Sequence, residues 1–145
     1  MDPVFDHEKL EVYQLELSFL TWSTELLKEL RSMNSTMFTE IRTQMERSSL
    51  SSLLNTAEGN GKRYKRLRAK FFDDARGSAM ESASCLDALV AIGATTRDAI
   101  GPGKQMLIRI VQMLTKLVQM YEADSVREEP TEYRVDSEFR YGDDV

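Results

Sequence analysis

Residues 51–78 read SSLLNTAEGNGKRYKRLRAKFFDDARGS, and this stretch decides the fold. Polar and small residues typical of a helix end lead into a glycine turn at Gly59–Gly61. A basic run from Lys62 to Lys70 follows and continues into Phe71-Phe72 with helical spacing. Gly59 suits the position after a helix C-terminus, where the backbone is left-handed and glycine is favoured. The stretch therefore predicts two helices joined by a short turn.

Two helices are predicted before this turn. Asp6 is a good N-cap for the first, and from Leu10 two apolar stripes follow the three-and-four spacing of a helical face. One stripe is enough for a helix in a solitary small bundle, so the second predicts self-association, with an unusually buried helix as the alternative. Residues 32–36 favour a turn because Ser, Asn and Thr side chains hydrogen-bond to local backbone. The second helix resumes near Met37.

Two more helices are predicted after the turn. The third runs from about Tyr64 to Ile92, and Gly93 ends it. Gly77 lies inside this helix at a cost of about 1 kcal/mol relative to alanine, which predicts a close helix crossing there. Gly101-Pro102 is expected to break a short turn, because the residue before proline avoids helical angles. The fourth helix then runs from Lys104 to Glu122.

Four helices with short connections predict an all-α fold, an antiparallel up-and-down four-helix bundle. Residues 1–123 are assigned to the bundle as one domain. Residues 124–145 are acidic and lose all periodicity, which predicts disorder with room for a short docking segment. The net charge of −5 is unevenly distributed. Residues 122–145 carry a formal charge of −6, and residues 1–121 carry +1.

Composition argues against several classes of function. Cys85 is the only cysteine and His7 the only histidine, so zinc sites built from sets of Cys or His cannot form. No nucleophile, base or metal set converges, and we expect a protein without cofactor or enzymatic activity. No apolar run is long enough for a membrane helix, and the polar N-terminus lacks a signal core. A cytoplasmic protein that does not bind membranes is therefore predicted.

The sequence resembles the four-helix-bundle family of proteins encoded in intervening sequences of bacterial 23S ribosomal RNA genes, also called S23 ribosomal proteins. The resemblance covers residues 8–121 and rests most strongly on Asn55-x-Ala57-Glu58-Gly59. Residues with matching spacing surround this motif: Leu10, Val12, Tyr13, Gln14, Gln44, Arg47, Ser51, Gly61, Ala75, Arg76, Gly77, Ser78, Glu81, Met113 and Leu114.

The resemblance implies a bundle that assembles as a homo-oligomer, typically a ring-like pentamer. It also implies RNA or DNA and a nucleic-acid-processing protein as partners, because relatives include accessory proteins of diversity-generating retroelements. The family's biochemical role is not established. Four positions depart from its pattern: Ser52-Leu53 replaces Ile-Pro, Thr56 replaces an aliphatic residue, and Tyr64 replaces a serine cap. The missing proline removes a kink, so we expect the corner after the second helix to differ in shape.

The basic run is the main candidate site. Six basic residues occur in nine positions with no acid among them, and phosphates bind such clusters because each contact releases condensed counterions. We expect RNA or another nucleic acid to bind these residues and Arg76: Lys62, Arg63, Lys65, Arg66, Arg68 and Lys70. Two alternatives stay open. The run is a solvated polar face, or the acidic C-terminal residues lie on it and screen it.

A second polar set surrounds the same corner: Arg47, Asn55, Glu58, Arg76 and Glu81. One interpretation is a polar functional site. The interpretation that we favour is a structural network, in which Arg76 and Arg47 meet Glu58 or Glu81 across two helices, because buried charges must be paired.

The wide apolar faces of the first and fourth helices predict an interface between copies, formed by Leu15, Phe19, Trp22, Leu26, Met106 and Met113. The leading hypothesis is a non-enzymatic, homo-oligomeric bundle that binds nucleic acid through the basic run. The alternative is a protein–protein interaction scaffold that uses these two apolar faces.

Overall fold

The computed structural model describes residues 5–127, where all regular structure is helical. The elements are a 3-10 turn, Asp6–Lys9, and four α-helices: α1, Glu11–Glu29; α2, Thr36–Gly61; α3, Lys65–Ala91; and α4, Arg97–Arg127. Each α-helix packs against the next, and α4 packs back against α1, which confirms the predicted four-helix bundle. Because α4 reaches Arg127, it passes the predicted bundle boundary by one turn. The predicted disorder of the C-terminal residues lies, from residue 128 onward, outside the described residues.

Local chemistry sets the helix ends. The Phe38 N–H donates to the Ser35 hydroxyl at 3.0 Å and so caps α2. Gly93 has a φ of 77° and ends α3 as predicted, because glycine adopts this left-handed conformation without strain. Asp6 does not cap α1, which begins five residues later. Its carboxylate accepts a hydrogen bond from Asn60 at 3.0 Å instead, and this bond ties the N-terminal turn to the end of α2.

Close contacts between helices occur at Gly59 and Gly103, and not at Gly77, where one was predicted. Gly59 does not follow a helix end but is buried inside α2, where a Cβ would lie 3.0 Å from the Cβ of Phe71. At Gly103 a Cβ would overlap the ring of Trp22, so α1 and α4 approach closely there. At Gly77 a Cβ would meet nothing within 4 Å, so the crossing predicted at that residue is wrong.

α4 is continuous where a break was predicted. It begins at Arg97, and the Ala99 N–H donates to the Thr96 hydroxyl at 3.1 Å, as expected of a cap. The helix then passes through Pro102. The missing proline N–H would have bonded the carbonyl of Asp98, which lies in the exposed first turn, where water can satisfy it. A proline this near the helix start therefore does not end it.

The core lies between the four helices and is filled by large apolar side chains. The largest fully buried ones are Phe72, Met45, Leu86, Leu89, Ile100, Ile110 and Leu114. Between α2 and α3 the core also contains small polar residues. The hydroxyls of Ser48 and Ser82 hydrogen-bond to each other at 2.7 Å, and those of Ser51 and Ser78 at 2.9 Å. These pairs let the two helices pack closely with the hydroxyls satisfied.

Candidate nucleic-acid interface

The basic run surrounds the corner at which α2 ends and α3 begins. We call its six basic residues the basic corner: Lys62, Arg63, Lys65, Arg66, Arg68 and Lys70. Tyr64 precedes α3 and makes no side-chain cap, and the first turn of α3 contains no acid. The positive end of the helix dipole therefore adds to the charge of the side chains. The result is a concentration of positive charge at one end of the bundle.

Arg68 is engaged within its own chain. Its Nε donates to the carbonyl of Lys62 at 2.7 Å, and its terminal nitrogen donates to the Tyr121 hydroxyl at 3.3 Å. The guanidinium also lies 5.4 Å from the centroid of the Tyr121 ring. Arg68 thus joins α3 to the preceding turn and to α4, and it contributes charge to the corner while its donors hold the fold.

Lys62 and Lys70 both lie close to one aromatic ring. Their ammonium groups are 4.9 Å and 5.0 Å from the centroid of Phe71. Each also forms an ion pair one turn away on its own helix, Lys62 with Glu58 at 3.1 Å and Lys70 with Asp74 at 3.0 Å. Such exposed ion pairs contribute at most about 1 kcal/mol to stability. They therefore lower the net charge of the basic corner without fixing the lysine side chains in place.

The remaining three cations lie in the turn and in the first turn of α3. Arg63 and Arg66 are exposed, and Lys65 is half-buried. The Arg63 guanidinium is 5.4 Å from the centroid of Tyr64, and the Lys65 ammonium is 5.6 Å from that of Tyr121. Tyr64, Phe71 and Tyr121 are half-buried. Cations beside aromatic rings are the combination that binds single-stranded nucleic acid, because bases stack on rings while phosphates meet cations.

Arg76 lies apart from the basic corner. It is six residues beyond Lys70, which is about 9 Å along the helix. Its Nε donates to the Thr115 hydroxyl at 2.9 Å, and its terminal nitrogen is 3.6 Å from the Asp73 carboxylate. Arg76 therefore links α3 to α4, and its partners differ from the Glu58 or Glu81 that the sequence predicted.

The other members of the predicted polar network also take different partners. Glu58 pairs with Lys62, and the Asn55 amide donates within α2 to the carbonyl and hydroxyl of the residue one turn earlier, at 2.9 Å and 3.1 Å. Arg47 and Glu81 are exposed, and neither forms an ion pair with another member in the part of the chain that the structure describes. The predicted cross-helix network is wrong because its charges lie at the surface, where burial does not force them to pair.

Part of the predicted oligomer interface lies inside the bundle. Phe19 and Leu26 are only 2% and 7% exposed, so both belong to the core of their own chain and their assignment to an interface is wrong. α1 carries two apolar stripes because it packs against both α2 and α4. The other predicted interface residues are half-buried against the same core: Leu15, Trp22, Met106 and Met113.

A groove between α3 and α4 is flanked by apolar side chains that are more exposed than the predicted interface residues. Met80 and Ile108 are 49% and 47% exposed and flank a groove of about 390 Å³. Ala83, Leu107 and Val111 form its floor and walls. This surface was not separated from the core positions in the sequence, because both have the same helical spacing.

α1 contains a buried carboxyl that was not predicted from the sequence. Glu16 in α1 is 2% exposed, and its Oε2 accepts hydrogen bonds from the hydroxyls of Ser52 at 2.6 Å and Thr56 at 2.8 Å. Its Oε1 has no partner among residues 5–127. Burial raises the pKa of Glu16 to about 7, and the two hydrogen bonds oppose this shift only in part. The available signal was an acid within the apolar arc between Val12 and Phe19.

Within residues 5–127, no three His, Cys, Asp or Glu side chains come together as a metal site would require. None of the four α-helices combines the length and the apolar character needed to cross a membrane. The described surface thus offers two candidates for binding, the basic corner and the groove between α3 and α4.

Comparison with known proteins gives one match. A family model described as 23S rRNA-intervening sequence protein matches residues 8–116. The match includes α1, α2, α3 and most of α4, and so it includes the whole basic corner. No curated protein and no solved structure gives a significant match to the chain.

Proposed function

Since the chain belongs to the family of 23S rRNA-intervening sequence proteins, we propose that it is a non-enzymatic protein that binds RNA or another nucleic acid through the basic corner. The observation that carries the proposal is the grouping of six cations and three aromatic rings at the junction of α2 and α3. Phosphates would meet the cations, and bases would stack on the exposed parts of the rings.

The six cations have different roles in this proposal. Lys62 and Lys70 are partly neutralised by their ion pairs, and Arg68 is engaged within the chain. The proposed phosphate contacts come from the turn and the first turn of α3, nearest the positive end of the helix dipole: Arg63, Lys65 and Arg66. Each phosphate contact on a single strand contributes about 0.7 to the slope of log affinity against log salt, so three contribute about 2. At 0.1 M salt a slope of about 2 corresponds to roughly a 100-fold gain in affinity.

A triple substitution tests the proposal: Arg63→Gln, Lys65→Gln and Arg66→Gln. The probe is a fluorescent oligouridine of about 20 nucleotides, long enough to cover one site. Fluorescence anisotropy is measured as salt rises from about 50 to 200 mM. Relative to the parent protein, we expect affinity to fall about 100-fold at 0.1 M salt and the salt slope to fall by about 2.

The matched control removes three exposed arginines from another part of the surface: Arg31→Gln, Arg42→Gln and Arg47→Gln. It should retain the affinity of the parent protein to within a few-fold. Equal losses in the two variants would show an effect of net charge alone. A parent protein without salt-sensitive affinity for the oligouridine, duplex RNA or DNA would end the proposal.

A second candidate function is a scaffold that binds further copies of the chain, in the ring-like pentamer that the family resemblance implies. The observation in favour is the groove with Met80 and Ile108 about half exposed on its rims. Native mass spectrometry should then give a multimer for the parent protein and a monomer for Ile108→Glu. The control is Val126→Glu at the exposed end of α4. A monomeric parent protein at micromolar concentration would remove this candidate.

A further inference from the structure

A further surface for binding lies on the outward side of α2. Leu50 and Leu54 are 45% and 55% exposed there. Exposed or half-buried residues continue from them in both directions at steps of four and three residues, the spacing of the a and d positions in a coiled coil. This regular spacing distinguishes the set from apolar residues scattered singly over a surface. We call it the α2 stripe: Thr43, Arg47, Leu50, Leu54, Ala57 and Gly61.

The α2 stripe has room for another helix. Its C-terminal half, with Leu54, Ala57 and Gly61, lines a shallow groove of about 440 Å³. A Cβ at Gly61 would meet nothing within 4 Å, so the surface over this residue is open. The stripe extends about 27 Å along the helix axis from Thr43 to Gly61. A second helix could therefore lie along it for several turns.

Two opposite charges lie on one side of the α2 stripe. Arg47 is exposed and forms no ion pair among residues 5–127. The Glu58 side chain is 55% exposed and pairs with Lys62 on its own helix at 3.1 Å. About three turns of helix separate Arg47 from Glu58, so both lie on the same side of the stripe. Each is free to meet an opposite charge on a partner.

We propose that two copies of the chain pair through the α2 stripe, with their α2 helices antiparallel about a two-fold axis. When the axis passes midway between Leu50 and Leu54, Leu50 of each copy packs against Leu54 of the other. The same register sets Arg47 opposite Ala57 of the second copy, whose small side chain leaves room for the guanidinium. Because this axis brings like sides of the two helices together, the guanidinium also meets the neighbouring carboxylate, Glu58. Each contact occurs twice, as in any isologous interface.

Charge and size favour the antiparallel direction over the parallel one. In a parallel pair each residue would face its own counterpart, so Arg47 would meet Arg47 and Glu58 would meet Glu58, and like charges would repel. In the antiparallel pair small residues face larger ones, since Gly61 lies opposite Thr43, as neighbouring layers of side chains require. One helix face on each copy forms a small interface, and we expect a dissociation constant of roughly 10–100 µM. Neither the basic corner nor the groove between α3 and α4 takes part.

Analytical ultracentrifugation of the full chain from about 5 to about 500 µM measures the pairing. Leu50→Gln and Leu54→Gln together should weaken it at least about tenfold, and because both side chains are exposed, thermal unfolding should show an intact fold. The matched control is Met37→Gln, which is 57% exposed on the same helix but lies off the stripe. This control and Ile108→Glu should each pair as tightly as the parent protein. A parent protein that stays monomeric at the highest concentration overturns the inference, and so does an equal loss in the variant and either control.

A charge swap tests the direction of the helices. Arg47→Glu and Glu58→Arg should each weaken pairing about tenfold, and the double variant should recover the affinity of the parent protein to within about threefold. The two single variants change the net charge in opposite directions, so a loss in both does not come from net charge. Single variants that pair like the parent protein overturn the antiparallel contact, as does a double variant that stays as weak as the single ones.

Disulfide formation tests the register. A disulfide requires Cβ atoms within about 4.5 Å of each other, and the native Cys85 is buried. A mixture of Leu50→Cys and Leu54→Cys should therefore form a disulfide between copies. Either variant alone should form little, because its two cysteines would lie about 6 Å apart along the helix axis. Stronger linkage in Leu50→Cys alone than in the mixture would indicate a parallel pair and overturn the inference.

Discussion

The buried carboxyl of Glu16 is predicted to make the stability of the folded protein depend on pH. Its carboxyl lies between α1 and α2, with one oxygen bonded to two hydroxyls and the other without a partner in the described chain. The perturbation is Glu16→Gln, which keeps the size of the side chain and removes the titration. An amide can still accept from Ser52 and Thr56 through its oxygen. Its unpartnered NH₂ adds a cost that does not depend on pH.

The magnitude follows from the two states of the carboxyl. Burial raises the pKa of Glu16 from 4.5 to about 7 in the folded protein. The folded state therefore holds this proton more tightly than the unfolded chain does. The associated stability is fully present below about pH 4.5 and is lost as pH rises through about 7. Over the whole window the loss is about 3 kcal/mol, since one pKa unit corresponds to about 1.4 kcal/mol.

The assay is urea unfolding followed by circular dichroism at about pH 5 and about pH 8, for the parent protein and Glu16→Gln. Other carboxylates titrate equally in both proteins, so they cancel in the difference. The unfolding free energy of the variant minus that of the parent should rise by about 2 to 3 kcal/mol between these two pH values. The change with pH is the test, because the absolute difference also contains the cost of the amide.

Glu25→Gln supplies the control on the same helix. Glu25 is exposed and pairs with Lys28 at 3.4 Å, so its substitution should change the unfolding free energy by a similar small amount at both pH values. A difference for Glu16→Gln that stays flat, or that falls as pH rises, would refute the reasoning. It would mean that the folded protein does not raise the pKa of this carboxyl.

The remaining predictions concern the packing of the helices. Gly103→Ala should destabilise the protein by roughly 1–3 kcal/mol, because the new Cβ would overlap the Trp22 ring. Gly77→Ala should stabilise the protein by up to about 1 kcal/mol, because the space beside Gly77 is open. Thermal unfolding compares the two variants, and equal effects would contradict the close contact at Gly103. Ser48→Ala should cost about 1–3 kcal/mol of unfolding free energy, because the buried Ser82 hydroxyl loses its partner. Ser82→Ala should cost less, because the Ser48 hydroxyl keeps its bond to the Met45 carbonyl at 3.3 Å, and the double variant should cost less than the sum of the two. A double-mutant cycle in urea checks this, and additive losses would contradict the pairing.

Helical periodicity was sufficient to predict the architecture because it is a local signal that four long segments repeat. The close contacts were not predictable in the same way. A glycine near a helix end has the same local signature whether it ends the helix, as Gly93 does, or admits a neighbouring helix, as Gly59 does. The choice depends on which residue of another helix lies opposite, and for Gly59 that residue is Phe71.

In the candidate site, too, features that are local in the sequence could be predicted and contacts between distant residues could not. The basic corner could be located from the sequence because its charges are adjacent along the chain. The roles of single residues could not be separated, because their partners are distant. Arg68 finds the hydroxyl of Tyr121 53 residues away, and Arg76 finds that of Thr115 39 residues away. Those two contacts turn predicted ligand contacts into helix–helix links.

The buried carboxyl also explains two departures of the chain from its family pattern. The family resemblance implies aliphatic residues where Ser52 and Thr56 stand, and these two residues are the donors to Glu16. With aliphatic residues at both positions the carboxyl would have no donor on α2, and burying it would cost more even when protonated. An acid at position 16 and hydroxyls at positions 52 and 56 are therefore physically coupled.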